Sequence, residues 1–298
     1  MGGVGERFPI FYSPAQSILT PTRGFIREAG FTHSLTPARN CTYGCTYCYV
    51  PAMRVHAGLK PEDWRRWGQF TTFKDNAGEL VRRSMRPEMI VYCSPLVDPY
   101  QPAEKTRRLM PEILDAVIEK PPLVFVIQTR SPLILEDLGL LRRLNERTTL
   151  RVSFSVTTNR DPVRRLYEPH CAPAAQRLEA IAGLESSGIA THATLAPLLP
   201  CDPADLIRMA AAATPRDLIG DPLHVRAVKR YGATTREAAA MIAAHHGHQA
   251  WFDPAFQREI VETMKEQAKA AGRRFAVGPE GFGWLAQTCN TGPKSRAY

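Results

Sequence analysis

Three cysteines stand within eight residues, in the run Asn40-Cys41-Thr42-Tyr43-Gly44-Cys45-Thr46-Tyr47-Cys48-Tyr49. Their spacing is Cys-x3-Cys-x2-Cys. Thiolates suit iron in iron–sulfur clusters, and they also suit zinc. A cubane cluster has four irons, so three cysteines leave one iron open to an exchangeable small molecule. A structural zinc would take a fourth Cys or His. His56, eight residues past Cys48, keeps zinc open on spacing alone. Gly44 is expected to permit the tight loop that brings the thiols together. The other cysteines, Cys93, Cys171, Cys201 and Cys289, stand apart. An odd total of seven with three clustered does not fit a disulfide framework.

A cluster loop needs elements to hold it. Short apolar or β-branched runs predict strands at 33–36, 89–92, 123–129, 150–157 and 190–195, with a last one at 274–277. Helical patterns separate them at 77–86, 103–120, 134–146 and 172–187. Alanine-rich helices follow at 203–213, 234–245 and 254–271. Strand, long crossover and strand again is the pattern of parallel βα units. Eight clear units are not legible. The expected fold is therefore α/β, a partial (β/α)6 TIM-like barrel with parallel strands, open or covered on one side by terminal segments. Residues 1–30 are read as an N-terminal extension, 31–287 as the barrel, and 288–298 as a flexible tail. The cysteine loop follows the first strand, at the strand ends where such folds place ligands.

The 298-residue chain carries 38 Lys and Arg against 29 Asp and Glu, a net charge of +9. That excess suits a nucleotide or nucleic-acid partner, although an Arg-rich solvated surface would give the same sum. No stretch approaches the roughly 20 apolar residues of a membrane span. The start shows no secretory or lipidation pattern, so a cytoplasmic monomer with no membrane partner is expected.

The cysteine spacing, with an aromatic between the last two cysteines, resembles the radical SAM superfamily. That resemblance implies a [4Fe-4S] cluster on Cys41, Cys45 and Cys48. It also implies S-adenosylmethionine (SAM) at the open iron, and a reductant such as flavodoxin or ferredoxin. Further segments resemble the branch related to spore photoproduct lyase. They are Asp98-Pro99-Tyr100-Gln101-Pro102, Gln128-Thr129-Arg130-Ser131, Ser153 to Thr158, Glu168-Pro169 with Arg177-Leu178, and Ala196 to Pro200. By that resemblance Arg130 faces the SAM carboxylate, Ser155 binds its amino-acid or ribose part with Ser153 beside it on the same strand face, and Tyr49 flanks the adenine. Asp98, Tyr100 and Cys93 become candidate catalytic residues at the second strand, Cys93 as a hydrogen-atom donor.

The expected activity is reductive cleavage of SAM, followed by hydrogen abstraction from an organic substrate. A nucleotide or DNA lesion is the first substrate class, and a small metabolite or peptide the alternative. A cluster protein that transfers or senses electrons without SAM turnover is the non-enzymatic alternative. Tyr92, Trp64 and Trp67 are candidate base-stacking rings. His245, His246 and His248 invite a metal reading, which their spacing does not support. The segments 220–224 and 277–284 are expected as loops closing the cavity, the second facing substrate.

Overall fold

The computed structural model describes residues 8–53, 59–225 and 234–288; His56, Cys289 and the rest of the expected tail after Thr288 lie outside them. Eight strands form the main sheet. They are β2 (Leu19–Pro21), β3 (His33–Leu35), β6 (Ile90–Cys93), β7 (Val124–Thr129), β8 (Thr149–Ser155), β9 (Thr191–Leu198), β10 (Leu218–Pro222) and β11 (Phe275–Val277). Their spatial order is β11-β10-β9-β8-β7-β6-β3-β2. From β3 to β11 every neighbour pair is parallel, and only β2 runs antiparallel, on the edge. The sheet does not close, which gives the expected partial barrel.

Strand β7 shows why these runs become strands. All but one of its residues are buried, as a parallel strand covered on both faces requires. Val124 and Val126 face one way, toward Tyr92 and Ile219. Phe125 and Ile127 face the other way, into the main core under the helices. Pro-led helix starts place the crossovers. Asp202 and Asp253 cap the helices Pro203–Ala213 and Pro254–Ala270 with their side chains. The expected helix over 103–120 is two helices, Glu104–Arg107 and Leu109–Glu119, broken at Arg108, whose φ is 53°. The segment 134–146 begins as a 3-10 turn, Pro132–Asp137, before the helix Leu138–Asn145.

Two expected loops are regular elements. Residues 218–222 are strand β10, a further parallel strand. Gly220 is required there because a Cβ would lie 2.2 Å from the Phe275 ring. Residues 278–286 form the helix Gly278–Ala286. Its Phe282 and Leu285 pack with Phe31, Tyr92 and Val126. This segment is therefore a helix packed on that apolar cluster, not the loop expected.

A second sheet is small and lies beside the cysteine loop. Its strands are β1 (Ile10–Ser13), β4 (Ala38–Arg39) and β5 (Thr71–Lys74), with β5 in the middle. So the N-terminal residues pair with both sheets, through β1 and β2.

Candidate active site at the strand ends

Strand β4 runs directly into Asn40 and the three cysteines. Asn40 is buried with φ 64°, a conformation asparagine tolerates better than most residues. Its side-chain carbonyl accepts from the N–H groups of Cys41 (2.8 Å) and Gly68 (2.9 Å). Its amide donates to the carbonyls of Asp63 (3.1 Å) and Arg66 (3.2 Å). Gly44 (φ +59°) and Gly68 (φ +93°) meet backbone to backbone, and a Cβ on Gly68 would sit 2.6 Å from the Gly44 Cα. The loop thus turns tightly at Gly44, as its sequence leads one to expect, and a second glycine makes room for the turn.

The Asp98–Pro102 segment fixes the loop from the other side. Gln101 accepts from the Thr42 N–H (2.7 Å) and hydroxyl (3.1 Å). Asp98 accepts from the Tyr100 N–H (2.9 Å), the Thr129 hydroxyl (2.7 Å) and the Arg130 N–H (2.9 Å). It therefore ties the loop after β6 to the loop after β7. Tyr100 is fully buried, and its hydroxyl donates to Asp137 (3.0 Å), under the helices. Cys93 is also fully buried. It is in register with Leu35 and Ile127 and shares the main core with them, on the face of β6 opposite Tyr92.

Arg130 reaches the cysteine loop. Its guanidinium donates to Glu168 (2.7 Å), to the Tyr47 hydroxyl and to the Cys45 sulfur (3.6 Å). Glu168 has no exposed side-chain surface. It also accepts from Thr157 (2.9 Å), Tyr47 and Arg177. Burial alone would raise this carboxyl, but Arg177 and Arg130 hold it down to about 2, so it stays ionised.

Cys171 follows the end of the helix Asp161–Tyr167. Its sulfur lies within 4.8 Å of the Cys45 sulfur and a Glu168 oxygen. The nearby Cys171 thiol, against burial and with help from Arg130, lowers the Cys45 thiol. Burial pushes the Cys48 thiol up to about 12 and raises Cys41 as well. Both Glu168 oxygens are already paired with guanidiniums, so Cys45, Glu168 and Cys171 are poorly suited to an added cation. The histidines at 245, 246 and 248 belong to no such ligand group among the described residues.

The concave face turns polar toward the strand ends. Ser153 and Thr194 share a hydrogen bond (2.7 Å), and Tyr92 donates to Gln128. Ser155 lies on the Ser153 face by strand period, and its hydroxyl is buried with no partner, as is that of Ser94. A buried orphan hydroxyl costs about 1–3 kcal/mol unless something satisfies it. The Tyr49 hydroxyl donates to the Pro95 carbonyl (2.6 Å), which holds its ring beside the loop after β6. Tyr92 and Trp67 are buried, so of the three candidate stacking rings only Trp64 is partly exposed. An all-sulfur set on one loop, with no disulfide, fits an iron–sulfur cluster, and the orphan Ser155 fits a polar ligand beside it.

An open parallel barrel with a thiol-bearing loop at its strand ends defines an α/β-barrel protein whose chemistry sits at the carboxyl mouth. The chain belongs to the radical SAM superfamily, whose family model matches residues 35–211. It is accordingly a radical SAM enzyme, of a family that implies an iron–sulfur cluster and SAM. An uncharacterized protein of Methanocaldococcus jannaschii is 27% identical over 197 residues, 66% of this chain and 70% of that one. An uncharacterized protein of Acidianus two-tailed virus is 26% identical over 200 residues, 64% of each chain. A spore photoproduct lyase variant superposes with TM-score 0.63 at 13% identity, covering 90% of this chain and 81% of that one. The lyase complexed with dinucleoside spore photoproduct gives 0.62 at 12% identity, with the same coverage of 90% and 81%. These two likenesses concern the fold.

Cys171, Asn40 and Gly68 carry no signal in the sequence that assigns them to the site, and Tyr47 is visible there only as the aromatic between the last two cysteines. Glu168-Pro169 is visible there as a motif without a role. Among the described residues no helix is long and apolar enough to cross a membrane.

Proposed function

We propose that the chain holds a [4Fe-4S] cluster on Cys41, Cys45 and Cys48, cleaves SAM reductively there, and abstracts a hydrogen atom from an organic substrate. Such a cluster, when bound, supplies an open iron for SAM and the electron that cleaves it. The observation that carries the reading is the braced thiol loop beside a buried polar face with an unpartnered Ser155 hydroxyl. Ser153, Ser155 and Tyr49 line the SAM side. Arg130, committed to Glu168, Tyr47 and Cys45, orients the loop and meets the carboxylate end. Asp98 holds Arg130 and Thr129 in place, and Tyr100 anchors the segment that carries it. Cys93 reaches the cavity as a hydrogen donor only if β6 rearranges. A nucleotide or nucleic-acid lesion is the substrate class we favour, given the +9 charge. The electron comes from a flavodoxin or ferredoxin, in the cytoplasm, to a monomer whose barrel spans 31–287.

The test is anaerobic reconstitution with iron and sulfide, reduction, addition of SAM and product analysis. 5′-Deoxyadenosine is expected, and the Cys41, Cys45, Cys48 triple alanine variant should lose both cluster and product. Cleavage by that variant would sink the reading. DNA binding that weakens steeply with salt supports the nucleic-acid class, and its absence favours a small metabolite or peptide.

A further inference from the structure

The three cysteines do not share one environment. Among the described residues, Cys45 is the cysteine of the three that accepts from a guanidinium, Arg130 Nη1 at 3.6 Å, and that lies within 4.8 Å of a further thiol, Cys171. Arg130 is not free to swing away. Glu168 holds the same nitrogen at 2.7 Å, and Asp98 accepts from the Arg130 N–H at 2.9 Å. Glu168 is itself held by Arg177 and Thr157. Cys171 is buried, and its N–H donates to the Glu168 carbonyl (3.1 Å), which fixes the thiol beside Cys45. Donors and positive charge at a ligand sulfur favour the more negative, reduced state of a cluster.

We propose that Arg130 and Cys171 are positioning residues that hydrogen-bond the Cys45 sulfur and so make the bound cluster easier to reduce, with Glu168 as the anchor of both. This rests on the cluster assignment of the proposed function. It predicts that one ligand sulfur, not three, controls the reduction potential.

The experiment is a redox titration of the reconstituted protein without SAM, followed by the electron spin resonance signal of the reduced cluster. Leaving SAM out separates this role from any contact between Arg130 and the SAM carboxylate. Arg130→Gln should lower the reduced-to-oxidised ratio about tenfold at a fixed poise, equal to about 59 mV for a one-electron couple. Arg130→Lys, which keeps the charge, should recover part of it. Cys171→Ala, a change that leaves the charge of the site unaltered, should shift the ratio in the same direction by a smaller factor. Equal ratios in wild type, Arg130→Gln and Cys171→Ala, at equal iron content, would overturn the inference while leaving the cluster assignment intact. A wild-type protein that takes up no cluster would overturn both.

Discussion

Two buried glutamates, one at the mouth of the barrel and one under its helices, differ in what surrounds them. Glu168 accepts from Arg130, Arg177, Tyr47 and Thr157. Glu104, at the start of the helix Glu104–Arg107, is as deeply buried, yet one oxygen accepts only the Met110 N–H (2.6 Å) and the other has no partner. The neighbouring Arg107 and Arg108 pair with Glu112, Glu136 and Asp137 instead. Burial pushes Glu104 up to about 8, while the two guanidiniums hold Glu168 down to about 2. Burial sets the cost in both places, and the cations decide which carboxyl is an anion at neutral pH. Of these two sites, the fold keeps its fixed negative charge at the one beside the cysteine loop.

The largest expected effect comes from removing the ionised glutamate. Glu168→Ala leaves Arg130 and Arg177 buried without their anion and should cost about 3–5 kcal/mol in urea unfolding. Wild-type stability across acid pH measures the same group. Its contribution is present above the unfolded carboxyl value of 4.5 and is lost as pH falls toward about 2. An acid limb unchanged by Glu168→Gln would contradict this.

A smaller change separates the neutral donors from the cations. Thr157→Val removes one neutral donor to Glu168 and should cost about 1.5–3 kcal/mol, the range for hydrogen bonds to charged groups. The guanidiniums remain, so the acid limb should keep its position.

Glu104→Gln tests the other glutamate and has the opposite sign. With a folded value raised to about 8, Glu104 favours the fold below 4.5, and that advantage is lost as pH rises through 8. The amide keeps an acceptor for Met110 and carries no charge. The variant should gain about 1–3 kcal/mol at pH 8 and lose the decline between about pH 5 and 8. Thermal unfolding at both ends of that range would show it, and an equal melting temperature shift at both would count against the assignment.

Much of the frame was legible from single residues. The strands at 90–93, 124–129, 149–155 and 191–198 announce themselves as short apolar or β-branched runs, because a strand covered on both faces needs them. Strand β10 does not, since Leu-Ile-Gly-Asp-Pro reads as a turn until Phe275 is seen to occupy the space above Gly220. The helix Gly278–Ala286 is hidden in the same way by its glycines, of which Gly281 packs so close that a Cβ would meet the Ala276 carbonyl at 2.5 Å.

The three cysteines, their order and the tight glycine between them follow from the linear chain, because ligand chemistry and turn geometry are local. Which of the three has donors at its sulfur follows only from the folded arrangement. Arg130, Glu168 and Cys171 are separated from Cys45 by 85, 123 and 126 positions, and nothing in a linear chain says that the end of β7 and the segment after β8 converge on one thiol. Burial and register do that, by closing the strand ends around the loop.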